Sequence, residues 1–115
     1  ILPGSKSDQK ISSDEIAELT LKCLIESVPN EVPGIAFLSG GQTEIEATKN
    51  LNSINNKNKT NFIMSYSYGR ALQQAALKTW SGKQDNKEAA QKAFSHRAKM
   101  NMLAAKGEWS ENLEG

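Results

Sequence analysis

Cysteine and histidine are nearly absent from this chain of 115 residues. Cys23 is the only cysteine, so no disulfide can form within the chain, and a reducing compartment is compatible with its sequence. Its position among apolar residues at helical spacing predicts a packed, inert thiol. His96 is the only histidine, so no metal site with several histidines can form within the chain. Its neighbour Arg97 favours a solvated position for this imidazole.

Long apolar runs and an excess of one charge are also missing. No segment is apolar and long enough to span a membrane, and the start does not resemble a signal peptide. Lys and Arg number 14 against 13 Asp and Glu, a net charge of +1, so the basic concentration that nucleic acid requires is lacking. We therefore expect neither a membrane nor a nucleic acid as a partner. Because the chain begins with Ile1 rather than Met, we expect residues to precede it.

Capping residues mark the starts of two helices. Ser12 precedes Glu15 by three residues and Thr43 precedes Glu46 by three, the spacing of a capping box. Pro29 ends the first helix because its ring cannot continue the hydrogen-bond ladder. Apolar stripes at helical spacing predict the buried faces, with Ile16, Leu19, Cys23 and Leu24 in the first helix and Ala47, Leu51 and Ile54 in the second.

Two further helices are predicted in the C-terminal half. The third begins near Arg70 and ends at Ser81-Gly82, and its face of Leu72, Ala76 and Trp80 is predicted to be buried. The last runs from about residue 86 to 106 and ends at Gly107, with Phe94 expected in the core. Residues after Trp109 are predicted to form a tail.

Two short apolar segments predict β-strands. Residues 35–38 are wholly apolar, which is typical of a strand covered on both faces in a parallel sheet. Residues 62–67 are aromatic and β-branched, and the asparagine-rich stretch 52–61 between the strands reads as a loop. Strands alternating with helices indicate parallel pairing through right-handed crossovers. Since two strands do not form a stable sheet alone, we expect part of a larger α/β fold.

The turns after the two strands carry the residues best suited to bind an anion. Ser39-Gly40-Gly41 follows the first strand, and Ser67-Tyr68-Gly69-Arg70 follows the second. Glycines allow backbone N–H groups to approach a ligand, a helix N-terminus favours negative charge, and a guanidinium can hold two phosphate oxygens. Adjacent loops of this kind resemble the phosphate site after strands seven and eight of a TIM barrel. The alternative is a simple Gly-Gly turn and a surface arginine.

Other polar and aromatic residues favour structural roles. Glu44 and Glu46 open a helix, where acids interact favourably with the helix dipole. Of Tyr66 and Tyr68, we expect one to be packed and the other to lie near a ligand.

Two segments closely resemble the signature motifs of class I fructose-bisphosphate aldolases. They are residues 32–42, VPGIAFLSGGQ, and residues 67–73, SYGRALQ. Residues 46–48, 50–52, 76–80 and 89–91 extend the resemblance over nearly the whole chain. Asn61-Phe62 stands where Pro-Trp is usual in that family, and Ser65-Tyr66 where Thr-Phe is usual. These exchanges preserve strand character and leave both motifs intact.

The resemblance implies a fold and an activity. The family is a TIM barrel, usually a cytoplasmic homotetramer, that cleaves fructose 1,6-bisphosphate reversibly into dihydroxyacetone phosphate and glyceraldehyde 3-phosphate. A lysine forms a Schiff base with the substrate ketone, and neither a metal nor another cofactor is needed. Residues 1–115 would be the C-terminal part of that single domain, about the last two βα units and a C-terminal helix.

The resemblance also assigns the site. Ser39, Gly40, Gly41, Ser67, Gly69 and Arg70 would bind the 1-phosphate of the substrate. The Schiff-base lysine is expected before residue 1, and the family's mobile tail after residue 115, so the chain alone should be inactive. The alternatives are a truncated product that binds phosphate or protein, and another phosphate-binding TIM barrel. Preference between fructose 1,6-bisphosphate and fructose 1-phosphate stays open.

Overall fold

The computed structural model describes residues 1–115 and contains four α-helices and one two-stranded sheet. The elements are α1 (Ser13–Ser27), β1 (Gly34–Phe37), α2 (Glu44–Lys57), β2 (Ile63–Tyr66), α3 (Arg70–Trp80) and α4 (Lys87–Ala105). Short 3-10 helices cover Gln84–Asn86 and Glu111–Leu113. The predicted order of helices and strands and the parallel pairing are confirmed, and the fold is α/β. None of the helices combines the length and apolarity needed to cross a membrane.

Both predicted capping boxes are present. The Ser12 hydroxyl accepts a hydrogen bond from the Glu15 amide at 3.2 Å, and the Glu15 carboxylate accepts one from the Ser12 amide at 3.0 Å. At α2 the Thr43 amide donates to the Glu46 carboxylate at 2.9 Å, and the Glu46 amide donates to the Thr43 hydroxyl at 3.2 Å. Each box satisfies donors that a helix start leaves without an intrahelical partner, which fixes where α1 and α2 begin.

The buried face of α1 differs from the predicted stripe. Ile16, Ala17, Thr20 and Leu21 are buried, whereas Leu19 is 43% exposed and Cys23 is exposed. The predictions that Leu19 belongs to the core and that Cys23 is packed are therefore wrong. The small residue Ala17 is fully buried and packs with Ile54 of α2, a contact that the spacing of large apolar residues did not predict.

The sheet is covered on one face only. Its register pairs Gly34 with Ile63 and Phe37 with Tyr66. Met64 is buried, while its neighbour Ile63 is 74% exposed, because successive side chains of a strand point to opposite faces. Leu38, just after β1, is 75% exposed. The prediction of a strand covered on both faces is wrong for this chain, whose helices pack against the other face.

Helix α2 contributes to all three apolar clusters of the core. Ile54 packs with residues of α1 and β2, Leu51 packs with α4, and Ala47 packs with the start of α3. The buried members are Ala17, Leu21, Ile54, Phe62 and Met64 in the first cluster, Leu51, Met100, Ala104 and Trp109 in the second, and Ala47, Tyr68 and Ala71 in the third. The predicted stripe of α2 is thus confirmed.

The asparagine-rich stretch is mostly helical. Helix α2 continues to Lys57, so the loop predicted for residues 52–61 is shorter, and the prediction is wrong for its first six residues. The Asn55 amide nitrogen lies 3.1–3.2 Å from the carbonyl oxygens of Leu51, Met64 and Ala104. Asn52 accepts a hydrogen bond from the Trp109 amide at 3.0 Å. The bonds to Met64, Ala104 and Trp109 are tertiary, and they offset the low helix propensity of asparagine.

The residues after α4 pack on the fold and do not form a free tail, contrary to the prediction. We call residues 107–115 the C-terminal segment. Trp109 is buried, and its indole N–H donates to the Glu114 carboxylate at 2.9 Å. Arg97 of α4 donates from Nη1 and Nη2 to the two carboxylate oxygens of Glu114, both at 2.8 Å. A two-pronged ion pair therefore anchors the end of this segment.

The outer faces of α3 and α4 leave an apolar groove open. Trp80 is 45% exposed and Phe94 is 40% exposed, so the prediction that both lie in the core is wrong. They line the groove together with Ala76, Leu77 and Ala90. Ala90 in this groove is buried, whereas the larger side chains remain accessible.

Candidate anion-binding site

The two loops of interest lie at the same edge of the sheet. Phe37 and Tyr66 are the last paired residues of the parallel strands β1 and β2. The Ser67 amide continues the ladder by donating to the Phe37 carbonyl at 2.8 Å. Ser39 follows Phe37 by two residues, and Ser67 follows Tyr66 directly. The loops therefore emerge side by side at the carboxyl edge, where open α/β sheets bind ligands.

The first loop presents free backbone amides. Gly40 and Gly41 have φ of 57° and 86°, a region that residues with a Cβ rarely adopt. Neither amide donates a hydrogen bond within the chain. No atom lies within 4 Å of the position of an added Cβ at either glycine. The Ser39 carbonyl instead faces the protein and accepts a hydrogen bond from the Gln42 side chain at 2.7 Å.

The second loop adds an open helix start and a free cation. Gly69 caps α3 without any side-chain hydrogen bond, and the first turn of α3 contains no acidic residue. Arg70, its first residue, is exposed and takes part in none of the ion pairs of the chain. The helix dipole and the guanidinium both favour an anion at this position. The exposed Ser67 hydroxyl has no partner in the chain either.

The start of helix α2 is less suited to an anion than the start of α3. Its first turn contains Glu44 and Glu46, and the capping box with Thr43 occupies the backbone amides of Thr43 and Glu46. The structural role predicted for Glu46 is confirmed. Two carboxylates at this helix start would repel an anion placed directly against it. The arrangement therefore favours binding between the Gly40 and Gly41 amides and the start of α3.

Two side chains brace the loops against α2. The Gln42 side-chain oxygen accepts a hydrogen bond from the side-chain amide of Asn50 at 2.7 Å, which connects the first loop to α2. In the second loop Tyr68 is buried and donates its hydroxyl to the Ala47 carbonyl at 3.0 Å. Burial, and secondly the neighbouring Tyr66, raise the pKa of Tyr68 well above its usual range, so its hydroxyl stays a donor. One tyrosine of the pair is packed as predicted, and a ligand contact by Tyr66 stays a prediction.

The family model for class I fructose-bisphosphate aldolases, described as glycolytic, matches residues 1–115. The chain belongs to the class I fructose-bisphosphate aldolase family. This assignment, which covers every residue, agrees with the resemblance of the two motifs. It also removes the alternative of another phosphate-binding barrel family.

Similar aldolases come from plants and a parasite. The chain is 51% identical to cytosolic fructose-bisphosphate aldolase 4 of Arabidopsis thaliana over 108 residues, 93% of the chain and 28% of that protein. It is 50% identical to chloroplastic aldolase 2 of Pisum sativum over 109 residues, 95% of the chain and 31% of that protein. The chain thus spans about a third or less of the length of these relatives.

A solved aldolase structure shares the fold. It is the fructose-bisphosphate aldolase of Plasmodium falciparum in complex with TRAP and a small-molecule inhibitor. The match has a TM-score of 0.89 at 41% identity and covers 93% of this chain and 31% of that one. The helices and the parallel strand pair therefore have the arrangement of the corresponding part of an aldolase.

Arg97, Glu114 and His96 form a cluster that sequence patterns did not predict. Burial would raise the pKa of Glu114, but hydrogen bonds from Arg97 and Trp109 and the charge of Arg97 outweigh it, so the pKa lies below its ordinary value of 4.5. Since the folded pKa is depressed, the stability from this carboxylate is present above the unfolded value and is lost as the pH falls through the folded one. His96, predicted to be solvated, is part-exposed and lies 3.5 Å from Glu114. The sequence lacks a local signal for this cluster.

Proposed function

We propose that this chain supplies the substrate phosphate site of a fructose-bisphosphate aldolase. That enzyme would cleave fructose 1,6-bisphosphate reversibly through a Schiff base with a lysine that the resemblance assigns to a position outside these 115 residues. The observation that carries the proposal is the placement of free Gly40 and Gly41 amides and an unpaired Arg70 at one sheet edge.

Each proposed residue would contribute a distinct interaction with the 1-phosphate. The amides of Gly40, Gly41 and Gly69 would donate to phosphate oxygens, and Arg70 would hold two oxygens with its planar fork. The hydroxyls of Ser39 and Ser67 would complete the hydrogen bonds. Holding the phosphate in this way fixes the substrate ketone relative to the lysine, which is catalysis by positioning.

The surroundings of the site follow from the same proposal. Strands β1 and β2 would be two of the eight strands of a TIM barrel, and the uncovered face around Ile63 would turn towards its interior. A homotetramer and a cytoplasmic location would accompany this fold. The named relatives include cytosolic and chloroplastic aldolases, so the family occurs in more than one compartment.

Substitution of Arg70 tests the proposal in the full-length protein that carries this chain. We expect Arg70→Ala to weaken binding of fructose 1,6-bisphosphate by about 1.5–3 kcal/mol, the range for hydrogen bonds to charged groups. That loss corresponds to a rise in KM of roughly 10- to 150-fold. The measurement is steady-state cleavage of the bisphosphate over a range of concentrations.

Lys78→Ala is the matched control. Lys78 is an exposed cation in the last turn of α3, away from the sheet edge, so its loss should leave KM unchanged. Arg70→Lys keeps the charge without the fork and should fall between the wild type and Arg70→Ala. An unaltered KM in Arg70→Ala would refute the role of this guanidinium.

A further inference from the structure

We propose that Glu114 and Arg97 are positioning residues for the phosphate site, acting through the first two turns of α2. Glu114, on the C-terminal segment, holds the Arg97 guanidinium against α2, and α2 in turn supports both phosphate loops. The inference rests on the proposed function and extends it, because neither residue belongs to the loops themselves.

The first link joins the C-terminal segment to α4. The Arg97 side chain is 5% exposed and the Glu114 side chain 12% exposed, and their two hydrogen bonds measure 2.8 Å each. Trp109 donates to the same carboxylate at 2.9 Å, and His96 lies 3.5 Å from it. The carboxylate therefore has partners from α4 and from its own segment, which define a single position for it.

The second link joins α4 to the start of α2. Arg97 Nη1 donates to the Thr48 hydroxyl at 3.2 Å, and Arg97 Nε lies 3.5 Å from a Glu44 carboxylate oxygen. The Thr48 hydroxyl lies 2.9 Å from the Glu44 carbonyl and 2.6 Å from the Asn101 side-chain oxygen. One buried guanidinium thus contacts both Glu44 and Thr48, one turn apart on α2.

The third link runs from α2 to the two loops. The Asn50 side chain donates a hydrogen bond to Gln42, whose own amide donates to the Ser39 carbonyl of the first loop. The Ala47 carbonyl accepts a hydrogen bond from the Tyr68 hydroxyl of the second loop. The supporting residues 44–51 of α2 therefore contact Arg97 on one side and both loops on the other. A displacement of this part of α2 would move the Gly40–Gly41 amides and the Gly69–Arg70 corner together.

Loss of the Glu114 charge would disturb this chain of contacts. Arg97 would remain buried with the Thr48 hydroxyl and, as its one remaining charged neighbour, the more distant Glu44 carboxylate at 3.5 Å. A buried charge without a close partner of opposite charge is strongly unfavourable. The guanidinium would then have to turn towards Glu44 or towards water, and either movement changes its contact with Thr48. We therefore expect the loops to lose the preorganised geometry that phosphate binding requires.

The test compares Glu114→Gln with Glu111→Gln in the full-length protein. Glu111 lies in the same segment, is exposed and takes part in no ion pair, so Glu111→Gln should keep the wild-type KM. Glu114→Gln should raise KM for fructose 1,6-bisphosphate by roughly fivefold, the lower end of measured couplings between sites, with less change in kcat. Arg97→Lys cannot make the two-pronged pair and should give the same pattern, which covers the case of a Glu114 variant that fails to fold.

A second readout separates positioning from a purely structural role. Coupling is reciprocal, so inorganic phosphate bound at the loops should slow amide hydrogen exchange in residues 109–115 of the wild-type protein. The protection should be absent in Arg70→Ala, which lacks the site, and in Glu114→Gln, which lacks the connection. Wild-type KM in both Glu114→Gln and Arg97→Lys, or no protection in the wild type, would overturn the inference.

The two proposals can fail separately. If Arg70→Ala raises KM while the Glu114 and Arg97 variants do not, the phosphate site stands and the positioning role is wrong. If Arg70→Ala leaves KM unchanged, the phosphate site is wrong and the positioning inference falls with it.

Discussion

At the residue scale, Gly107 is constrained by both its backbone and its surroundings. Its φ is +70°, and an added Cβ would lie 2.7 Å from the Asn56 side-chain oxygen. Gly82 has almost the same φ, +71°, but nothing lies within 4 Å of its added Cβ. The two glycines therefore separate the cost of the left-handed backbone from the cost of a steric clash.

We predict that Gly107→Ala destabilises the protein more than Gly82→Ala does. The left-handed conformation costs a residue with a Cβ about 1–2 kcal/mol at either position. At Gly107 the contact with Asn56 adds to this cost, because either the Asn56 side chain turns away or α2 and Gly107 move apart. Urea denaturation of the full-length variants measures both losses. Equal losses at the two positions would show that the contact with Asn56 relaxes freely.

At the element scale, α2 is held by a side chain that propensity would place in a loop. The Asn55 amide links α2, β2 and the end of α4 through carbonyl oxygens of Leu51, Met64 and Ala104. Its two N–H groups are shared among these three acceptors. The residue thus acts as a junction between three elements.

Replacing Asn55 should therefore loosen the end of α2. We predict that Asn55→Ala lowers the free energy of unfolding by about 1–3 kcal/mol, since three part-buried carbonyls lose the Asn55 side chain as a donor. Asn30 is exposed and has no side-chain hydrogen bond, so Asn30→Ala serves as the control and should change stability little. Denaturant unfolding measures both, and a loss no larger than that of the control would contradict the role of Asn55 as a junction.

Sequence patterns predicted every α-helix start but failed at the end of α2 and on parts of the faces of α1, α3 and α4. The capping boxes of Ser12 and Thr43 are local, since hydroxyl and glutamate lie three residues apart, and both predictions were right. The end of α2 depends on bonds between Asn55 and residues up to 49 positions away. No local pattern contains that information. The low helix propensity of asparagine therefore led to the wrong prediction for residues 52–57.

The two loops of the proposed phosphate site were also predicted from local patterns. Their residues form two short motifs, so the sequence could propose all of them, and parallel pairing of β1 and β2 brings the motifs to one edge. The residues that support these loops could not be predicted from short motifs. Arg97 and Thr48 are 49 positions apart, and nothing near either residue indicates that they meet.

At the scale of the whole molecule, the sheet is the weakest part of the 115-residue chain. It has two strands, and large apolar side chains such as Leu38 and Ile63 are exposed beside it. Isolated two-stranded pairs are marginal in water, so this pair depends on the helices packed against its one covered face. The helices carry most of the core, with α2 at its centre.

We therefore predict that the 115-residue chain, produced alone, is partly helical and melts without a cooperative transition. Circular dichroism at increasing temperature measures this behaviour. The same preparation should have no aldolase activity. A sharp two-state melting curve would show that these residues fold independently, contrary to the prediction.

The burial of Trp109 gives the protein a natural optical reporter. Of the two tryptophans, Trp80 is 45% exposed and Trp109 is 8% exposed, with its indole hydrogen-bonded to Glu114. Their emission should therefore differ in wavelength and in accessibility to dissolved quenchers. Detachment of the last residues could be followed in real time from the Trp109 fluorescence, without attaching a dye.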